Sequence, residues 1–322
     1  MNIDSTLISC VVPAYNEAEH IQQFIFDLAT HLRDKPNYNY EIVVVDDGSS
    51  DNTIDQAIQC LDEVNLRIIT LSRNFGKEAA LTAGINEAKG DVVILIDADY
   101  QHPIAVIDDF LKEWEAGYDM VYGVRTSRDG ESWFKRKGAE LFYRMMKQMV
   151  GIDIPRNAGD FRLLDKRVVE AIRLLPERTR FMKGMYAWVG YKSTPVLFEV
   201  EERLSGVTGW GFNKLANLAL TGITAFTDLP LRLVGIVGLL ISVISFLYGM
   251  YIIADTLIFG RTTPGFATTI VVITFLGGIQ LLSLGVLGEY IAGIFREVKQ
   301  RPNYIIDKQY GNNTQDKSDQ DS

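Results

Sequence analysis

At 322 residues, 47% of them hydrophobic, the chain has room for one α/β domain and a smaller part, and its net charge of −9 argues against a nucleic-acid binder that works through a broad basic face. Cys10 and Cys60 are its only cysteines, so no disulfide framework is expected and a reducing cytoplasm suits the usage. The opening residues MNIDSTLISC lack the charged n-region and long apolar run of a signal peptide, which leaves any membrane insertion to later segments.

From Thr6 to Val124, short β-branched apolar runs alternate with helix-length amphipathic segments, the pattern of a mostly parallel sheet covered on both faces. Strands are predicted at Leu7–Val12, Glu41–Val45, Arg67–Leu71, Val92–Ile96 and Met120–Val124. Asn16 with Glu19 has the spacing of a capping box, and Ser50 or Asp51 can cap the helix that begins near Thr53.

Residues 127–150 combine Trp133, Phe134, Leu141, Phe142 and three methionines with Lys135, Arg136, Lys137, Arg144 and Lys147, a basic amphipathic helix suited to a membrane surface. A second amphipathic stretch, residues 211–229, precedes two uncharged apolar runs, Leu233–Ala254 and Thr262–Gly288, each longer than the roughly 20 residues a membrane-spanning helix needs. Arg203, Lys214 and Arg232 precede the first run and Arg296, Lys299 and Arg301 follow the second, whereas Arg261 alone is basic between them. The positive-inside rule then places the preceding domain and the C-terminus in the cytoplasm, as a multi-pass protein of the inner (plasma) membrane. The expected organisation is a sheet domain over residues 1–205, a juxtamembrane amphipathic helix over 206–231, two spans over 232–295, and a cytoplasmic tail over 296–322, disordered from about Gln309.

The strongest chemical signal is VVILIDADYQHP, in which an apolar strand runs into Asp97 and Asp99, with Gln101 two residues on. Carboxylates at the carboxyl end of a parallel strand lie where open α/β sheets bind ligands, and three oxygens at this spacing can hold a hard divalent cation. A second acidic strand end, EIVVVDDGSSDNT, offers Asp46 and Asp47 to a ribose or base edge, although Gly48 to Asn52 also read as an ordinary strand-to-helix turn. The first strand ends in VVPAYNE, which puts Pro13, Tyr15 and Glu17 on the same rim. Arg125 and Arg128 follow the fifth strand and are close enough in this topology to meet phosphates. Neither a G-x-G-x-x-G turn after a strand nor a P-loop is present, which speaks against dinucleotide oxidoreductases and P-loop enzymes. Asp160, in NAGDFRLL, follows no apolar run and by itself reads as a loop acid.

The ordered set VVPAYNE, VVDDGSSDNT, SRNFGKEAALTAG, IDADYQHP and GDFRLLDKRVV, followed by ER-x-x-G and by two spans ending in GVLGEYI, resembles the family 2 glycosyltransferases that make polyprenyl-phosphate sugars. It is most similar to the bactoprenol glucosyltransferases of O-antigen modification and more distantly to dolichyl-phosphate mannose synthases, over about Leu7 to Tyr304. The resemblance implies a GT-A fold, inverting chemistry and a Mg2+ or Mn2+ ion. It implies nucleotide contacts at Pro13, Tyr15, Glu17, Asp46, Asp47 and Asp97, metal and diphosphate handling at Asp97, Asp99 and Gln101, and a catalytic aspartate at Asp160. Many relatives carry a lysine where this chain has Gly209, so Arg203 or Lys214 would take up more of the phosphate contact.

The expected reaction is transfer of one sugar, with glucose from UDP-glucose favoured by resemblance, to polyprenyl (undecaprenyl) phosphate at the cytoplasmic membrane face. The expected partners are therefore a nucleotide-sugar donor, a lipid-phosphate acceptor and the membrane, with no nucleic acid, and a homo-oligomer is compatible with the resemblance. Competing readings are another donor (GDP-mannose, UDP-GlcNAc or a modified sugar) and a catalytically inactive nucleotide-sugar binding protein. A processive synthase would carry more spans and a Q-x-x-R-W element, and neither is found.

Overall fold

The computed structural model describes residues 6–126, 158–178, 180–199, 229–259 and 265–311. Compact packing divides the chain into two units, one built on a sheet that also takes in the residues from Arg301 onward, the other containing two long helices.

The sheet unit begins with β1 (Thr6–Ala14), α1 (Ile21–Arg33), β2 (Tyr38–Asp46), α2 (Thr53–Ile58), β3 (Leu66–Leu71), α3 (Lys77–Glu87), β4 (Val92–Leu95), α4 (Val106–Glu115) and β5 (Met120–Arg125). It continues with β6 (Ala158–Asp165), α5 (Lys166–Leu174), α6 (Met182–Trp188), β7 (Ser193–Phe198) and, much later in the chain, β8 (Ile306–Gly311). The strand order is β7-β5-β6-β4-β1-β2-β3-β8. The five strands expected from apolar periodicity all form, and β1 to β4 pair in parallel, as crossover helices require.

Side chains alternate across this sheet, so one strand feeds two cores. Ile8, Cys10 and Val12 of β1 pack with Phe24, Ile25 and Leu28 of α1 and Phe110 of α4, while Val11 faces Ala80, Ala83 and Ile85 of α3 on the other side. Each buried Ile, Leu or Phe here contributes on the order of 1.5–3 kcal/mol, which fixes the register of the strands whose tips carry the polar residues. Gly84 shows how closely α3 lies on the sheet, because a Cβ there would meet Val11 Cγ1 at 2.1 Å. Both cysteines are buried and free, and burial pushes the Cys60 thiol up to about 11.

Three features differ from the sequence reading. Asp160 is not in a loop: it lies in β6, which inserts antiparallel between β4 and β5. A strand entered after a long connection and carrying Asp160 and Arg162 leaves no continuous apolar run, so periodicity passes over it. The expected disordered tail starts too early, since Gln309, Tyr310 and Gly311 belong to β8, which pairs antiparallel with β3. That polar strand is held by backbone hydrogen bonds to a sheet edge, a contact side-chain hydrophobicity does not signal. Finally, Asn16 and Glu19 form no capping box. α1 starts at Ile21 without a side-chain cap, and the Asn16 side-chain oxygen instead accepts from Ser50 N at 2.9 Å. The N-cap of α2 is Asn52, whose side chain makes no cap hydrogen bond, rather than Ser50 or Asp51; Asp51, one residue earlier, accepts from Thr53 N through Oδ1 at 3.0 Å.

In the second unit, α7 (Leu229–Phe259) and α8 (Phe266–Val298) contain apolar stretches, Pro230–Asp255 and Thr268–Val298, long and apolar enough to cross a membrane. The amphipathic segments 127–150 and 211–228, together with Arg128, Arg203, Gly209, Lys214 and Arg261, lie outside the described residues.

Candidate active site

The carboxyl ends of β1, β2 and β4 and the start of α3 enclose a cleft of about 260 Å³ lined by Pro13, Ala14, Tyr15, Glu17, Asp47, Asn74, Gly76, Lys77, Ala80, Asp97, Ala98 and Asp99. Five residues read from the three motifs as nucleotide contacts, Pro13, Tyr15, Glu17, Asp47 and Asp97, are thus brought together. Crevices outside the carboxyl ends of parallel strands are the ligand sites of open α/β sheets.

The two acids ending β2 do different work. Asp47 Oδ1 accepts from Phe75 N at 2.7 Å and its Oδ2 from Gly76 N at 2.8 Å, so this side chain shapes the loop that forms one wall of the cleft. The turn that follows needs Gly48, which has φ 69° and lies so close to the next loop that a Cβ added there would meet the Arg73 carbonyl carbon at 2.4 Å. Asp46 is buried: its Oδ2 accepts from Ser49 N at 3.0 Å, while Oδ1 has no partner among the described residues. Burial raises the pKa of both carboxyls, and the backbone amides that bind them work against it.

Beyond β4 the chain turns at Tyr100, held at φ 58°, a left-handed conformation that costs a non-glycine residue about 1–3 kcal/mol. Packing compensates: the Tyr100 hydroxyl donates to Asp27 Oδ2 at 2.7 Å and its ring meets Phe24 edge-on, with centroids 5.2 Å apart. This turn gathers Asp97, Asp99 and His102, each offering a ligand atom within 4.8 Å of the others. His102 is an addition to the acids read from the motif. Among the described residues neither of its buried ring nitrogens has a hydrogen-bond partner, its ring stacks on Phe161 at 4.8 Å, and burial lowers its pKa, which favours the neutral imidazole. Two carboxylates and an orphaned imidazole fit a divalent cation of the Mg2+ or Mn2+ kind. Gln101, on the same turn, accepts from Arg125 Nη2 through its Oε1 at 3.3 Å.

The antiparallel register pairs Leu95 with Arg162, and continuing it by two residues sets Asp160 beside Asp97. Lys77 lies between them, its ammonium 2.6 Å from Asp97 Oδ2 and 3.4 Å from Asp160 Oδ2. Burial opposes the Lys77 charge, but Asp97 and then Asp160 outweigh it and raise its pKa. Asp160 is partly buried, and there Lys77, Lys183 and Arg162 together overcome the effect of desolvation and lower its pKa. Lys77 is a second residue that the motif reading does not single out, although a lysine as the first residue of a helix opposes the helix dipole and so calls for another reason to be there. Arg162, two residues from Asp160, is fully buried: it donates from Nη2 to Gly159 O at 2.7 Å and lies over the Tyr186 ring at 3.7 Å.

Comparisons with known proteins agree with this geometry. Residues 9–173 match glycosyl transferase family 2, and residues 229–294 match the GtrB C-terminal hairpin. The chain is 47% identical to a bactoprenol glucosyl transferase of Shigella phage SfII, over 95% of this chain and 99% of that one. It is also 47% identical to an uncharacterized glycosyltransferase of Synechocystis sp., over 94% of this chain and 96% of that one. A putative glycosyltransferase of Bacillus subtilis is 38% identical over 93% and 91% of the two chains. A GT-A-like mixed sheet, a carboxylate-lined cleft and near full-length identity lead to one conclusion: the chain belongs to glycosyl transferase family 2, in the branch that carries the GtrB hairpin.

Proposed function

We propose that the protein transfers a single glucosyl residue from UDP-glucose to polyprenyl phosphate, with undecaprenyl phosphate as the acceptor. The observation that carries this reading is the convergence of Asp97, Lys77 and Asp160 at the mouth of the nucleotide cleft, in a chain 47% identical to a bactoprenol glucosyl transferase.

In the reaction a phosphate oxygen of the acceptor forms a bond to the anomeric carbon, while the bond from that carbon to the diphosphate breaks and its electron pair leaves with the nucleoside diphosphate. A single displacement of this kind inverts the anomeric centre. Asp97, Asp99 and His102 would hold a Mg2+ or Mn2+ ion, which when bound neutralises charge on the diphosphate. Pro13, Tyr15 and Glu17 bind the nucleoside end, and Asp46 Oδ1 supplies an unfilled acceptor behind it. Lys77 donates to the departing diphosphate from the start of α3, with no reorganisation needed at the moment of reaction. Arg125, tied to Gln101, and the Arg128 and Arg203 side chains add cationic contacts to the phosphates.

Asp160 orients the acceptor rather than deprotonating it. A phosphate monoester has its second pKa near about 6 and has little proton left to give at neutral pH. The carboxylate is itself held in its ionised, weakly basic form by the neighbouring cations. The two apolar helices associate the enzyme with the bilayer that contains the acceptor's tail, with the sheet unit and C-terminus on the cytoplasmic side.

The test is a donor panel of UDP-glucose, UDP-GlcNAc and GDP-mannose with undecaprenyl phosphate and purified protein in detergent, reading lipid-linked sugar. Glucose transfer is expected. Product from another donor alone would replace the sugar assignment, and no lipid product from any donor would overturn the function.

A further inference from the structure

The cations around Asp160 outnumber what it needs. Lys77, Lys183 and Arg162 all act on this one carboxylate. The other acid nearby, Glu78, has its pKa pushed up to about 7 by burial and by Asp160, so it carries a full charge only above neutrality.

Lys183 lies in the first turn of α6, which is pinned on both sides of it. Met182 N donates to Glu78 Oε2 at 3.0 Å, and Tyr186 lies under the Arg162 guanidinium at 3.7 Å. These contacts hold Lys183 within electrostatic reach of Asp160 and Glu78, yet its ammonium makes no hydrogen bond or ion pair with a described residue. A half-buried cation loses hydration, and a structural role would return it as a direct partner. An anionic ligand is the alternative.

Two anions enter the proposed reaction, the donor diphosphate and the acceptor phosphate. In-line displacement puts them on opposite sides of the anomeric carbon. Lys77 and the acids after β4 line the nucleotide cleft, and Lys183 is not among its lining residues. We infer that Lys183 binds the phosphate of the lipid acceptor and thereby positions the attacking oxygen. The inference rests on the function proposed above.

The experiment uses the purified full-length protein in detergent, with wild type, Lys183→Gln and Lys183→Arg. Initial rates are measured against undecaprenyl phosphate at saturating UDP-glucose, and UDP affinity is measured by calorimetry. Loss of a charge-assisted contact predicts an acceptor KM raised by about 10- to 100-fold in Lys183→Gln, UDP affinity within about twofold of wild type, and recovery of most of the acceptor KM in Lys183→Arg. An acceptor KM that stays within twofold overturns the assignment. So does a loss of UDP affinity as large as the change in acceptor KM, which would put Lys183 on the donor side. If Lys183→Gln does not fold, Lys183→Met keeps the buried methylene stem and is read by the same outcomes. Failure of the wild type to glycosylate the lipid counts against the function itself, and an unchanged acceptor KM in an active variant counts against Lys183 alone.

Discussion

Asp97 and Asp160 face each other in the continuation of the β4–β6 register, although 63 positions separate them in the chain, and the Lys77 ammonium stands between, 2.6 Å from one and 3.4 Å from the other. Two carboxylates that share one cation also repel each other. The shared cation offsets the repulsion between the two carboxylates, and with Lys183 and Arg162 it lowers the pKa of Asp160 against the effect of burial.

Replacing Lys77 with Met removes that shared cation. Transfer from UDP-glucose should fall by about 10²–10³-fold, the usual effect of losing one preorganised donor to a leaving group. UDP affinity should fall with it. Steady-state rates and calorimetry on the purified variant check this, and turnover within threefold of wild type would contradict the role given to Lys77.

Asp99→Asn should abolish transfer, by several orders of magnitude, while the protein stays folded and membrane-inserted, because it removes a ligand on the loop after a strand rather than a core group. Mn2+ binding, followed by its EPR signal, should weaken in parallel. Near-normal turnover at saturating metal would remove Asp99 from the site.

For Asp160→Asn, a positional role predicts a rate defect of similar size from about pH 6 to pH 8.5, since the acceptor phosphate is mostly dianionic over that range. A wild-type advantage that grows steeply as pH falls toward 6 would instead mean that Asp160 takes up a proton, the behaviour of a general base.

Glu78 supplies a stability test. Its pKa in the folded protein is pushed from 4.5 up to about 7, so its contribution to stability is fully present below the unfolded value and is lost as pH rises through about 7. Glu78→Gln keeps an oxygen for Met182 N and removes the charge. The variant should therefore melt higher than wild type at pH 8, by about 2–6 °C, with little difference at pH 4.5. A gain at pH 4.5 as large as that at pH 8 would refute this, as read by thermal melts in detergent at the two pH values.

The charge asymmetry around the two apolar helices predicts that the segment joining them faces away from the cytoplasm. A cysteine introduced near Arg261 should react with a membrane-impermeant reagent in intact cells, and one at Asp307 should not. The reverse pattern would place the nucleotide cleft away from cytoplasmic nucleotide-sugars.

The parallel strands and the acids at their tips are legible because burial on both faces writes continuous β-branched runs, and a run that stops at Asp46 or Asp97 locates its own end. β6 is not, because an antiparallel insert carrying three charged side chains, Asp160, Arg162 and Asp165, has neither periodicity nor a turn signal of its own. Lys77 and His102 lie inside two of the motifs without standing out from them. Their importance comes from what faces them: Asp97 and Asp160 in one case, and in the other a stacked Phe161 with, among the described residues, no hydrogen-bond partner for either ring nitrogen.

The sequence by itself determined the sheet class, the two apolar helices and the acidic strand ends, since each depends on interactions local in the chain or on transfer of side chains out of water. Tertiary structure alone decided that Asp160 meets Asp97, that Lys77 stands between them, that Gln101 turns to Arg125, and that the residues after Lys308 close the sheet edge. Those outcomes rest on strand register and on backbone hydrogen bonds between distant segments, and pairings of that kind leave no periodic trace in either segment read alone.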